Sequence, residues 1–202
     1  MSIITSGMFS DFDLIIIGTD TGNINIWGNS SQVAAIDNSQ KPVIGIGRGG
    51  YAFFGKLSLE IGYPNGAISP YDEMEVLDSS HKVFKLPNLI PSGNITVTSI
   101  KVDSRVIYLS SIPADVTGLG RIPDDLTYYI FVLEENKYLL WGFANPAYSL
   151  TAIGQDLFTN AVYYMLYYSG GDGIPGFEII WVAITFVALI YIFQKRNPIY
   201  RT

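Results

Sequence analysis

The sequence predicts an α/β domain with a mostly parallel sheet, followed by one membrane-spanning helix. Three observations carry this. Two short, continuous apolar runs in the first third, residues 13–18 and 42–47, are separated by helix-like sequence. A helical apolar periodicity covers residues 150–168. Residues 179–193, near the C-terminus, contain no charge.

Each element has its own reason. Residues 13–18, DLIIIG, read as a strand buried on both faces, because a continuous apolar run has no solvent face. Residues 31–39 read as a short helix and residues 42–47, PVIGIG, as a second buried strand. In residues 51–61, Phe53, Phe54, Leu57 and Ile61 fall at helical spacing. Strand, helix, strand, helix is the pattern of an α/β unit with parallel strands. Residues 73–78 read as a brief strand and residues 78–88 as a loop, and 95–102 and 105–110 both read as strands. Residues 127–133 and 137–143, separated by EEN, read as a hairpin. Leu150, Ile153, Leu157, Phe158, Ala161, Val162, Met165 and Leu166 share one helix face. The predicted organisation is a domain over residues 1–168, a flexible linker over 169–176, and an anchor with a short basic tail over 177–202.

Composition excludes several functions. The chain has 202 residues, enough for one domain of about 150–170 residues and an appendage. The net charge is −6, so the basic footprint of a nucleic-acid binder is missing. With no cysteine there is no thiol nucleophile, disulfide or thiolate metal site. His81 is the single histidine, so any histidine-dependent pair must use it, and no metal site or cofactor is expected.

The chemistry-bearing stretch is KPVIGIGRGGYAFFG, residues 41–55, where a strand enters a glycine cluster and a helix follows. Glycines there allow a positive φ, and the helix aims free N–H groups at the turn. Hydrolases place a serine or cysteine at such a turn. Here the positions hold Gly47 and Arg48. A cation at a helix N-terminus opposes the helix dipole. Either Arg48, with the Gly49 and Gly50 amides, binds an anion such as a carboxylate, or Arg48 is paired internally with Asp20 or Glu73. Asp20 and Asp37 are candidate hydrolytic acids, though an Asp in GTDTG is more often a loop cap. His81 reads as a general base or as an exposed loop residue, Tyr51, Tyr63 and Trp141 as pocket lining or as core and rim packing, and Glu73, Glu75 and Asp78 as a cation site or as a solvated strand edge. The sequons at Asn29 and Asn94 are short enough to arise by chance.

This region resembles the class I glutamine amidotransferase-like superfamily, whose turn reads Gly-Ile-Cys-x-Gly after a Lys-Pro-Val strand. Lys41, Pro42, Val43, Gly45, Ile46 and Gly49 match, and Gly47 stands where the family has cysteine. FDLIIIGTDTG is similar to the preceding strand and loop of the family. DSSHKVFKLPN and LLWGFANPAYSLTAIGQDLFTNAVYYM are similar to segments of its trehalose-utilisation-like branch. The resemblance spans about residues 10–168. It implies a flavodoxin-like three-layer sandwich, shortened at the N-terminus relative to the family, so that an upstream portion is expected. It also implies a pseudoenzyme: Gly47 has no side chain, and WGFANPAYSL lacks the histidine of the family triad. The expected function is non-catalytic, with a small anionic ligand or a protein bound near Asp20, Gly47, Arg48, Gly49 and Gly50. The alternatives are a structural subunit of a membrane complex, or an unconventional hydrolase using Asp20, Arg48 and Glu73.

At the C-terminus, GFEIIWVAITFVALIYIFQKR reads as a short transmembrane helix, with Trp181 and Tyr191 near its ends. Lys195, Arg196 and Arg201 follow it, which by the positive-inside rule puts the C-terminus in the cytoplasm and the domain outside. Pro175, Gly176 and Phe177 before the span resemble the Pro-Gly-Phe anchoring tails of archaeal surface proteins. The N-terminal residues lack the basic and apolar regions of a signal peptide.

Overall fold

A computed structural model describes residues 4–169. Three helices and eleven strands are defined: β1 (Ile15–Ile17), β2 (Gly22–Asn23), β3 (Ile26–Trp27), α1 (Ser30–Asp37), β4 (Val43–Ile46), α2 (Gly47–Lys56), β5 (Gly66–Tyr71), β6 (Glu73–Val76), β7 (Gly93–Thr96), β8 (Val102–Tyr108), β9 (Val116–Arg121), β10 (Tyr128–Glu134), β11 (Tyr138–Trp141) and α3 (Ala152–Tyr167). The predicted linker and transmembrane anchor lie outside the described residues. Among the described residues, no helix is long and apolar enough to cross a membrane.

Nine strands form one mixed sheet among the described residues, in the order β1-β4-β11-β10-β9-β6-β7, with β8 joining β10 to β5. β1 runs parallel to β4, and β4 parallel to β11. The other pairs in this sheet are antiparallel. The expectation of a mostly parallel sheet is therefore corrected. A parallel neighbour needs a crossover of a dozen or more residues, usually a helix. From β5 to β11 the chain supplies no helix, only turns and short 3₁₀ segments, so its strands return antiparallel.

The layers are helix, sheet, helix. Alternation along β4 and β11 sends Val43, Tyr138 and Leu140 to one face, with Val33 and Ile36 of α1 and Ala52, Phe53 and Phe54 of α2. Ile44, Leu139 and Trp141 go to the other face, with Leu157, Ala161 and Met165 of α3. A register shift around Phe131 in β10 puts Ile130 and Phe131 in the same cluster, as a bulge does. β1 is a departure: Ile16 is 39% exposed, because β1 pairs with β4 alone at the end of the sheet.

Local chemistry sets the helix boundaries. Asn29 caps α1, accepting from the Gln32 backbone while the Gln32 side chain accepts from the Asn29 N–H. Thr151 caps α3 through the Gly154 N–H at 3.0 Å. α2 starts at Gly47, four residues before the apolar periodicity, and stops at Lys56. β5, β9 and the β2–β3 hairpin have no clear signature in the sequence. Gly66, Pro70, Gly118 and Gly120 conceal the strand pattern in β5 and β9.

Candidate functional site

The C-terminal ends of β1, β4 and β11 lie side by side, which is where open α/β sheets hold their ligands. Three loops leave this edge: residues 18–22, the turn at Gly47, and residues 142–146. Gly47 has φ +49°, the left-handed conformation of a nucleophile turn. The turn is preserved and the space above it is filled. A Cβ on Gly47 would sit 2.8 Å from Ala144 Cβ and 2.8 Å from Thr19 Oγ1. Neither neighbour is a base for a nucleophile at this position.

The glycines that follow have a packing reason. A Cβ at Gly49 would lie 2.0 Å from the Gly18 carbonyl oxygen, and one at Gly50 would lie 2.2 Å from the Gly45 carbonyl carbon. Bare backbone is needed to hold α2 against β4 and the first loop. The N-terminus of α2 has no side-chain cap.

Arg48 reaches Asp20 at 3.5 Å, and both side chains are solvent-exposed. This is the internal pairing that the sequence offered as the alternative to anion binding. Water screens such a pair, so it does little to fix either group. Asp20 and Arg48 are thus together beside the turn. Glu73 is not: β6 stands four strand spacings from β4, on the order of 19 Å at about 4.8 Å each. The three-residue hydrolase is corrected on that ground. Asp37 is also elsewhere, at the opposite end of the strands. It accepts from Lys137 Nζ at 3.0 Å and Tyr138 Oη at 2.5 Å. Burial raises its carboxyl, but those hydrogen bonds and the Lys137 charge outweigh burial and hold it below the usual range.

His81 is structural. Its Nδ1 accepts from the Val83 N–H at 3.3 Å, and its ring packs 4.9 Å from that of Tyr164. Burial favours its neutral form. Glu75 pairs with Arg121 at 2.7 Å, and Asp78 accepts from the backbone and hydroxyl of Ser80. Trp141 is core, and Tyr63 meets Tyr51 edge-to-face at 6.1 Å.

One residue not singled out from the sequence dominates the cleft. Arg105, on β8, is only 2% exposed. Its Nη2 donates to Asn23 Oδ1 at 3.2 Å, and its guanidinium lies 6.0 Å from the Tyr51 ring centre. Nε and Nη1 have no partner. Burial, then repulsion from Arg48, pulls the Arg105 pKa down, while Tyr51 and Asp103 oppose the shift. Arg105, Arg48, Asn23, Asp103, Ile68 and Ala144 line a cavity of about 400 Å³ that Ile24 and Val102 complete. Ligand clefts start at about 300 Å³. The available signal was an arginine directly before the apolar residues Val106, Ile107 and Tyr108 of a strand.

The class defined by this geometry is a three-layer α/β domain with a glycine-rich strand-to-helix turn at the C-terminal ends of its parallel strands. Neither a family model nor a curated protein sequence matches the chain. Solved structures do. A ThuA-like protein from Bacteroides uniformis superposes with TM-score 0.60 at 13% identity, covering 84% of this chain and 76% of that one. A GMP synthase subunit from Thermoplasma acidophilum superposes with TM-score 0.52 at 16% identity, covering 81% and 77%. At such identities the likeness is one of fold. It agrees with the glutamine amidotransferase-like architecture implied by the sequence resemblance.

Proposed function

We propose that this chain is a non-catalytic glutamine amidotransferase-like domain that binds a small ligand or a partner protein at the cell surface. Residues 177–193 hold it at the membrane, with the C-terminus in the cytoplasm. One observation carries the non-catalytic reading: Gly47 keeps the positive φ of a nucleophile turn, while Thr19 and Ala144 occupy the space a nucleophile's side chain requires. The charge asymmetry around the apolar C-terminal stretch supports the membrane placement.

The test is direct. The whole chain, purified in detergent, is assayed against glutamine and a panel of simple amides and esters. No turnover above buffer is expected. Hydrolysis that Arg48→Ala abolishes overturns the reading. A tag placed before Met1 reports the topology: external protease removes it from intact cells if the domain faces outward, and spares it until lysis if the domain is cytosolic.

A further inference from the structure

Among the described residues, four buried side-chain polar atoms have no hydrogen-bond partner: Thr19 Oγ1, Arg105 Nε, Arg105 Nη1 and Asn145 Oδ1. Their distribution is informative. Thr19 overhangs Gly47, Asn145 follows the cavity-lining Ala144, and Arg105 lines the cavity itself. Buried polar groups in folded proteins are almost always satisfied, so each exception calls for a cause. Two of the four atoms belong to one cavity-lining residue, Arg105.

Arg105 is the severe case. A guanidinium carries five N–H donors. One of its nitrogens has a hydrogen-bond partner, and that partner is a neutral amide oxygen. Among the described residues, no ion pair within 4.0 Å serves Arg105, and Asp103 does not come that close. A buried charge without a counter-charge is expensive. The surroundings nonetheless keep it: Asn23 and Tyr51 hold the group in place, and the residue beside Asn23 is strained. Ile24 has φ +52°, an unusual state for a β-branched residue, and strain of this kind collects at ligand clefts.

The charges around the cavity favour an anion of low charge. Arg48 is matched by Asp20, and Asp103 adds one more negative group on the wall. The guanidinium that is covered and unpaired is that of Arg105 alone. A monoanion on Arg105 leaves the wall at a net −1, because Arg48 and Asp20 cancel and Asp103 remains, whereas a dianion leaves −2. Ile24, Ile68 and Val102 offer an apolar wall next to it.

We infer that the cleft binds a small organic monocarboxylate, its carboxylate on Arg105 and its hydrocarbon portion against Ile24, Ile68 and Val102. This deepens the binding role proposed above and rests on it. Arg105 is the anchor; Arg48, exposed and paired with Asp20, also lines the cavity but adds little net attraction.

The experiment titrates the whole chain with acetate, butyrate, hexanoate and inorganic phosphate, using calorimetry and the ¹⁵N resonance of the Arg105 Nε. Binding that strengthens from acetate to hexanoate is expected, with a shift of the Arg105 Nε signal. In Arg105→Met the affinity falls on the order of tenfold or more, because a charge-assisted contact is lost. That variant melts at or above the wild-type temperature without ligand, since it removes an unpaired buried charge. The inference is overturned if no carboxylate binds, if phosphate binds better than hexanoate, or if binding leaves the Arg105 resonance unmoved. The wild-type resonance test stands even if Arg105→Met does not fold. Failure here is distinct from failure of the proposed function: carboxylate binding accompanied by amide hydrolysis would refute the non-catalytic reading alone.

Discussion

Placing a cysteine at Gly47, where the amidotransferase-like superfamily carries one, should damage the fold without creating an enzyme. At φ +49° a residue with a Cβ costs about 1–2 kcal/mol relative to glycine. The new Cβ then meets Ala144 Cβ at 2.8 Å, Thr19 Oγ1 at 2.8 Å and Ala144 Cα at 2.9 Å. The two Ala144 atoms are fixed to the main chain, and the Thr19 hydroxyl moves only by leaving its χ1 rotamer. Overpacking of this kind costs about 1–3 kcal/mol. The sum is about 2–5 kcal/mol, a large share of the roughly 5–15 kcal/mol that holds a domain together. With an m-value of about 2 kcal/mol/M, the urea midpoint falls by about 1–2.5 M. Gly47→Ala should lose nearly as much, which assigns the cost to the Cβ and not to the thiol. Thr19→Ala should recover part of it in either background, and a double-mutant cycle measures that coupling. No glutamine turnover should appear, because Thr19 and Ala144 supply no base. A Gly47→Cys protein with wild-type stability, or one that hydrolyses glutamine, would refute the reasoning.

Three further predictions rest on other parts of the molecule. Ile24→Gly should stabilise the domain by about 0.5–1 kcal/mol by relieving the left-handed strain at φ +52°; a loss of stability in urea would show that the Ile24 side chain contributes more than the strain costs. Asn160 is fully buried, donates to the Val83 and Asn88 carbonyls, and accepts from the Asn88 N–H. Asn160→Leu should therefore cost about 2–3 kcal/mol, because it orphans the buried Val83 carbonyl and the part-buried Asn88 N–H and carbonyl, and hydrogen exchange should rise in residues 83–88. Burial lowers the His81 pKa, with Asp78 opposing and Lys82 reinforcing the shift. The neutral ring is favoured when folded, so stability is full above the ordinary value near 6.5 and is lost as pH falls below it. Glu134 works in the other direction, since burial raises its pKa against hydrogen bonds from Ile61 and Glu60, so acidification toward 4.5 adds stability there. The contrast between wild type and His81→Gln isolates the histidine: the difference in urea midpoint should change between pH 7 and pH 5, and a constant difference would exclude this role.

The sequence determined the periodic parts. Residues 13–18, 42–47 and 150–168 carry uninterrupted apolar patterns, and they became β1, β4 and α3. The glycine-rich turn was legible as a turn because a positive φ at Gly47 and the close approaches at Gly49 and Gly50 demand residues without a Cβ. Asp20 and Arg48 were legible as neighbours of that turn because both lie within a few residues of strand ends.

The sheet's direction and the cleft's far wall belong to the tertiary structure alone. Strand direction depends on what lies between strands, and β5 and β9 are masked by glycine and proline. Arg105 is separated from Asn23 by 82 residues, and its burial without a counter-charge exists only once β8 is placed across from the Gly47 turn. Local pattern records how each segment meets water. It does not record which distant segment will remove the water from a charge, and that removal is what singles out Arg105.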